Sequence, residues 1–109
     1  MDYSKVLYAV YDVIEDRKNN PKEGSYTNYL MEKGIDKILK KIGEECTETV
    51  IAAKNGVKEE TVYEICDLLY HLSVLIEEQG ITWDDIFSEL AKRELKEGNL
   101  KKFNTRGEI

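Results

Sequence analysis

Gly43-Glu44-Glu45-Cys46-Thr47-Glu48, then Asn55-Gly56, then Tyr63-Glu64-Ile65-Cys66-Asp67 are the three short stretches that decide how this chain folds. Glu45 and Glu48 are spaced i, i+3, and so are Glu64 and Asp67, which on a helix puts each pair on one face about one turn apart. Asn-Gly between them is a strong stop signal for a helix. Glu48 and Glu64 each lie eight positions from Gly56, and Glu45 and Asp67 each lie eleven. Two helices folding back at Gly56 therefore bring four carboxylates together at two matched levels. Negative charges held that close repel unless a cation sits among them, and an all-oxygen donor set favours a hard divalent ion, Mg²⁺ or alternatively Mn²⁺. Glu45, Glu48, Glu64 and Asp67 are the candidate metal ligands.

The apolar pattern extends this hairpin in both directions. Ile35, Ile38, Leu39, Ile42, Cys46, Val50 and Ala53 form a helical stripe over about 35–54, and Val62, Ile65, Leu68, Leu69, Leu72, Leu75 and Ile76 form another over about 59–78. Upstream, Val6, Leu7, Val10, Val13 and Ile14 predict a helix over about 4–17, and Pro21 marks the break after it. Ser25 or Thr27 can cap a short helix through Tyr29, Leu30 and Met31 that Gly34 ends. Downstream, Thr82 reads as an N-cap with Asp85 at N3 and with Ile81 and Ile86 at the staple positions. The expected fold is all-α, a helical-hairpin bundle of four to five helices in one domain over 1–95, completed by a second copy of the chain. The charged segment 96–109 is expected to be a frayed tail.

Composition narrows the function. At 109 residues, with one proline, seven glycines, 41% apolar and 35% charged residues, the chain suits one charge-rich helical domain. A formal charge of -6 disfavours binding to nucleic acid. No apolar run reaches membrane-spanning length, and the N-terminus lacks the pattern of a signal peptide, so the expected compartment is the cytoplasm. Cys46 and Cys66 face the wrong distance for a disulfide across packed helices and read as small core residues. Glu15, Asp16, Glu77, Glu78, Glu94 and Glu97 read as a solvated acidic face.

The single histidine, His71, follows Asp67 by four residues, so the Glu-x-x-His motif of di-metal carboxylate bundles is absent. On the hairpin symmetry His71 stands level with Lys41; it either meets a phosphate, holds a carboxylate, or is a polar residue at the edge of the core. Ser25, Tyr26 and Thr27, followed by Lys33, Lys37, Lys40 and Lys41, supply hydroxyls, helix-start amides and ammonium groups that suit a polyphosphate. No Walker loop is present.

Taken together, Glu-Gly-Ser-Tyr-Thr (23–27), Lys-Gly-Ile-Asp-Lys-Ile-Leu-Lys-Lys-Ile-Gly-Glu-Glu (33–45), Glu48, Ala-Ala-Lys-Asn (52–55) and Tyr-Glu-Ile-Cys-Asp-Leu-Leu-Tyr-His-Leu (63–72) closely resemble the phosphoribosyl-ATP pyrophosphatase family. That family lies within the all-α nucleotide pyrophosphohydrolases, beside MazG proteins and dimeric dUTPases. The resemblance implies Mg²⁺-dependent hydrolysis of phosphoribosyl-ATP, the second step of histidine biosynthesis, by a homodimer that mixes helices from both copies. It implies that Glu45, Glu48, Glu64 and Asp67 hold the metal, with Glu44 as a further ligand or the base, and that Lys37, Lys40 and Lys41 meet the triphosphate. The next step would fall to a separate phosphoribosyl-AMP cyclohydrolase. The family's Gly-x-x-x-Lys-x-x-Arg tail is matched by Gly98, Lys102 and Arg106 with the last spacing off by one. The competing expectations are a house-cleaning dNTP pyrophosphohydrolase and a non-catalytic helical interaction module.

Overall fold

The computed structural model describes residues 2–94, and the expected tail over 96–109 lies outside them. Among the described residues are five α-helices and no strand: α1 (Val6–Asn19), α2 (Tyr26–Lys33), α3 (Ile35–Asn55), α4 (Lys58–Glu78) and α5 (Trp83–Glu94). A single 3-10 turn, Tyr3–Lys5, leads into α1. The all-α hairpin bundle read from the sequence is the fold observed.

The hairpin is α3 and α4, each of 21 residues. Gly56 ends α3 in the left-handed region at φ 77°, ψ 14°, where a side chain would be strained, and its N–H returns to the Ala53 carbonyl. Val57 alone then leads into α4. The two short-range caps are also as expected. Ser25 Oγ accepts from the Asn28 N–H at 3.2 Å to start α2. Thr82 and Asp85 cap each other's backbone N–H, at 2.9 and 3.2 Å, to start α5.

One face of the hairpin is covered. Ile14 of α1, Leu30 of α2, Ile38 of α3 and Val74 of α4 meet in a closed core, with Val10, Met31, Ile42, Tyr70 and Leu75 packed around it. Each such side chain contributes roughly 1.5–3 kcal/mol when fully buried. The α5 helix is fastened to α1 and α4. Trp83 donates to Ser73 Oγ at 3.2 Å and stacks on Phe87, while the Tyr11 hydroxyl donates to the Ile81 carbonyl at 3.0 Å.

The opposite face is bare, and here several expectations fail. Val62 and Ile65, expected to be buried, are exposed, as are Leu39, Val50 and Ala53 of the α3 stripe. Cys46 and Cys66 are free and exposed, not core residues. The stripe is real, but α1, α2 and α5 cover only one side of the hairpin, and these residues lie on the other. Glu77 errs in the opposite direction. Expected on the solvated face, it is buried at 7% exposure and takes an ion pair from Lys18 at 3.3 Å. No helix among the described residues is long and apolar enough to cross a membrane.

Candidate active site

Fold-back at Gly56 brings the carboxylates of α3 and α4 together. Glu45, Glu48 and Glu64 each place an oxygen within 4.8 Å of the others. Glu45 is buried, Glu64 half-buried and Glu48 exposed, so the cluster opens outward along α3. Asp67 is not within that spacing, but its charge bears on both Glu45 and Glu64. Burial raises the pKa of Glu45 and of Glu64, and the close approach of the Glu48 carboxylate raises both further. Glu45 Oε2 and Glu64 Oε2 are buried without any hydrogen-bond partner. Two orphaned carboxylate oxygens aimed into one acidic cluster are what a hard cation would satisfy, and the donor chemistry fits Mg²⁺ or Mn²⁺.

Lysines flank the cluster on α3. Lys41 Nζ lies 3.2 Å from Glu44 and 4.0 Å from Glu45. The hydrogen bond to Glu44 holds the Lys41 ammonium above its ordinary pKa and holds the Glu44 carboxyl below its own. Glu44 thus stands beside the cluster as an ionised, exposed partner of Lys41. Lys40 lines a shallow groove of ≈ 520 Å³ with Gly43, Glu44, Thr47 and Glu48. Lys33 and Lys37 instead place their ammonium groups over the Tyr29 ring, 5.8 and 5.9 Å from its centroid.

The start of α2 is tied to α4 beside the cluster. Ser25 is engaged as the cap. Thr27 is buried and shares a hydrogen bond with the Tyr70 hydroxyl. Tyr26 is exposed, stacks on Tyr29 with centroids 6.0 Å apart, and places Oη 2.9 Å from His71 Nε2. His71 is buried and places Nδ1 2.7 Å from the Asp67 backbone oxygen, so both of its ring nitrogens are occupied within the protein. Glu45, Glu48 and Glu64 with Lys40, Lys41, Glu44, Tyr26 and His71 therefore gather in one region. Lys33 and Lys37 stand at the Tyr29 edge of it. Tyr29 and Tyr70 escaped the sequence reading. Tyr29 meets Tyr26 and Lys33 of its own helix and Lys37 of α3. Tyr70 meets Thr27 of another helix, and no local spacing announces a tyrosine that will hold a threonine 43 residues away.

Residues 7–94 match the family described as phosphoribosyl-ATP pyrophosphohydrolase. A phosphoribosyl-ATP pyrophosphatase of Clostridium acetobutylicum is 58% identical over 101 residues, 93% of this chain and 92% of that one. One from Limosilactobacillus fermentum is 57% identical over 103 residues, 94% of each chain. The histidine biosynthesis bifunctional protein HisIE of Caldanaerobacter subterraneus is 61% identical over 92 residues, 84% of this chain but 45% of the longer protein. The family match covers most of the chain, and on that ground this chain belongs to the phosphoribosyl-ATP pyrophosphohydrolase family.

Proposed function

We propose that this chain hydrolyses phosphoribosyl-ATP to phosphoribosyl-AMP and pyrophosphate, with Mg²⁺ as the physiological cation and Mn²⁺ able to replace it. The observation that carries the reading is the pair of buried, unpartnered oxygens on Glu45 and Glu64, set beside Lys41 in a chain of this family. Glu45, Glu48, Glu64 and Asp67 hold the cation in this reading. When bound, such an ion neutralises phosphate charge and acidifies a water molecule. The remaining work falls to side chains. Lys40 and Lys41 balance the growing negative charge of the departing pyrophosphate. Glu44, kept ionised by Lys41 and outside the set that holds the cation, takes the proton from the attacking water.

The protein acts in histidine biosynthesis, in the cytoplasm, as a homodimer whose second copy covers the bare hairpin face. A separate phosphoribosyl-AMP cyclohydrolase is its pathway neighbour. Pyrophosphate release from phosphoribosyl-ATP, with Mg²⁺ and with excess EDTA, tests the activity beside a panel of dNTPs. Fast, metal-dependent release that prefers phosphoribosyl-ATP is expected. Release from a dNTP alone would move the protein to nucleotide-pool cleaning, and release from none would end the enzymatic reading. Glu48→Gln and Asp67→Asn should each lower kcat by at least about 10²-fold with helical content unchanged. Near-normal rates in both would remove the carboxylates from the mechanism.

A further inference from the structure

Two side-chain ties hold the start of α2 against α4, and one of them fixes the polarity of a group at the cleft. Thr27 bonds to Tyr70, and the residues just before and after them, Tyr26 and His71, bond to each other at 2.9 Å. His71 Nδ1 lies 2.7 Å from the backbone oxygen of Asp67. A carbonyl oxygen only accepts, so Nδ1 carries the proton. In the neutral ring Nε2 then has only a lone pair, and the Tyr26 hydroxyl must donate to it. A phenol has one proton. With that proton turned to His71, the oxygen presents lone pairs alone to anything else that approaches. Tyr26 is 43% exposed, lines a cleft with Gly24, Ser25 and Tyr29, and feels the charges of Lys41 and Glu45. A phosphate oxygen, itself an acceptor, gains nothing from that atom. A hydroxyl group does.

We infer that Tyr26 is a specificity-determining residue that accepts a hydrogen bond from a sugar hydroxyl of the bound nucleotide, and that His71 is the positioning residue that sets its polarity. The inference rests on the nucleotide-binding reading of the site, and it separates Tyr26 from the phosphate-facing role that its place beside Ser25 suggests. An ordered water is the other donor of the same chemistry, and the test tells the two apart.

Calorimetric titration of the intact protein at pH 8, with Ca²⁺ in place of Mg²⁺ to restrain turnover, compares ATP with 2′-deoxy-ATP and 3′-deoxy-ATP. Wild-type protein is expected to bind ATP about tenfold more tightly than one of the two deoxy analogues, the scale of one hydrogen bond. Tyr26→Phe keeps the ring and should bind all three alike, at the weaker level. His71→Gln, whose amide oxygen can accept the same phenol proton, should keep most of the discrimination. His71→Phe, which frees that proton to turn into the cleft, should lose it. Equal or absent binding of the three nucleotides by wild-type protein overturns the inference, as does discrimination that survives Tyr26→Phe. Uniform weakening of all three by Tyr26→Phe would make the donor a water and overturn the sugar assignment. Pyrophosphate release, measured on the same samples, reports on the proposed activity separately. Discrimination without release would remove the activity and leave the role of Tyr26 standing.

Discussion

Glu45 and Glu64 stand where burial makes their ionisation costly to the folded protein. Burial raises both pKa values, so the folded state binds more protons than the unfolded chain over the window between the ordinary carboxylate range and the raised values. Their ionisation therefore opposes folding. The penalty is absent below the unfolded pKa of about 4.3, grows as pH rises through the folded values, and is complete above them. Glu44 runs the other way: its pKa is lowered by Lys41, and its contribution is present above the unfolded value and lost as pH falls. Glu45→Gln removes one of the penalised ionisations and leaves Lys41 to Glu44. Metal-free Glu45→Gln protein should melt a few °C higher than wild type at pH 7, on the order expected for a small stability gain. The difference should close near pH 4. Saturating Mg²⁺ should reverse the ranking at pH 7 by stabilising wild type alone, and differential scanning calorimetry at both pH values reads all of this. A wild-type Tm that ignores Mg²⁺ at pH 7 would mean that the cluster binds no such ion.

At the scale of elements, α2 is the piece tied to α4 beside the carboxylates, and it is too short to stand alone. Eight residues are well below the length at which an isolated helix is stable in water. Its order comes from the Ser25 cap, the Thr27 and Tyr26 ties to α4, and Leu30 in the core. Leu30→Ala should cost about 2–5 kcal/mol by urea unfolding, against about 1 kcal/mol for Ser25→Ala. Both should raise KM more than they change Mn²⁺ affinity, because the cluster belongs to α3 and α4. The same elements show what a single sequence can reveal. The hairpin was legible because Asn55-Gly56 is a local stop and the carboxylates are symmetric about it. The caps at Ser25 and Thr82 were legible because a cap is a pattern of three or four adjacent residues. The approach of Glu45, Glu48 and Glu64 followed from both, but the matching level expected for Asp67 did not. The ties between Tyr26 and His71 and between Thr27 and Tyr70 were not legible, because they join positions more than forty residues apart. Nor was the burial of Glu77, whose cation comes from α1. Periodicity likewise showed an apolar stripe on α3 without showing what covers it.

That uncovered stripe sets the question for the whole molecule. Val50, Tyr63, Ile51 and Val62 are 68%, 65%, 54% and 52% exposed, and Leu39 and Ile65 add 48% and 41%. Scattered exposed apolar residues are ordinary, but these belong to the two helices of one hairpin, as do Cys46 and Cys66. If a second copy covers the face, the protein in solution should have about twice the mass of 12.6 kDa by sedimentation equilibrium. Val50→Asp separates the two cases with one change. On a bare face the substitution should alter stability by no more than about 0.5 kcal/mol and leave the mass alone. Against a packed second copy it would bury an unpaired charge, so the dimer should dissociate to a 12.6 kDa chain. Thiol labelling gives an independent reading, since neither cysteine is paired in the single chain. Covered thiols should react slowly with a bulky maleimide in wild-type protein and quickly in Val50→Asp. Fast labelling of both cysteines in wild-type protein, at a mass of one chain, would mean that the hairpin face is free. The carboxylate cluster would then have to work with the residues of one copy alone.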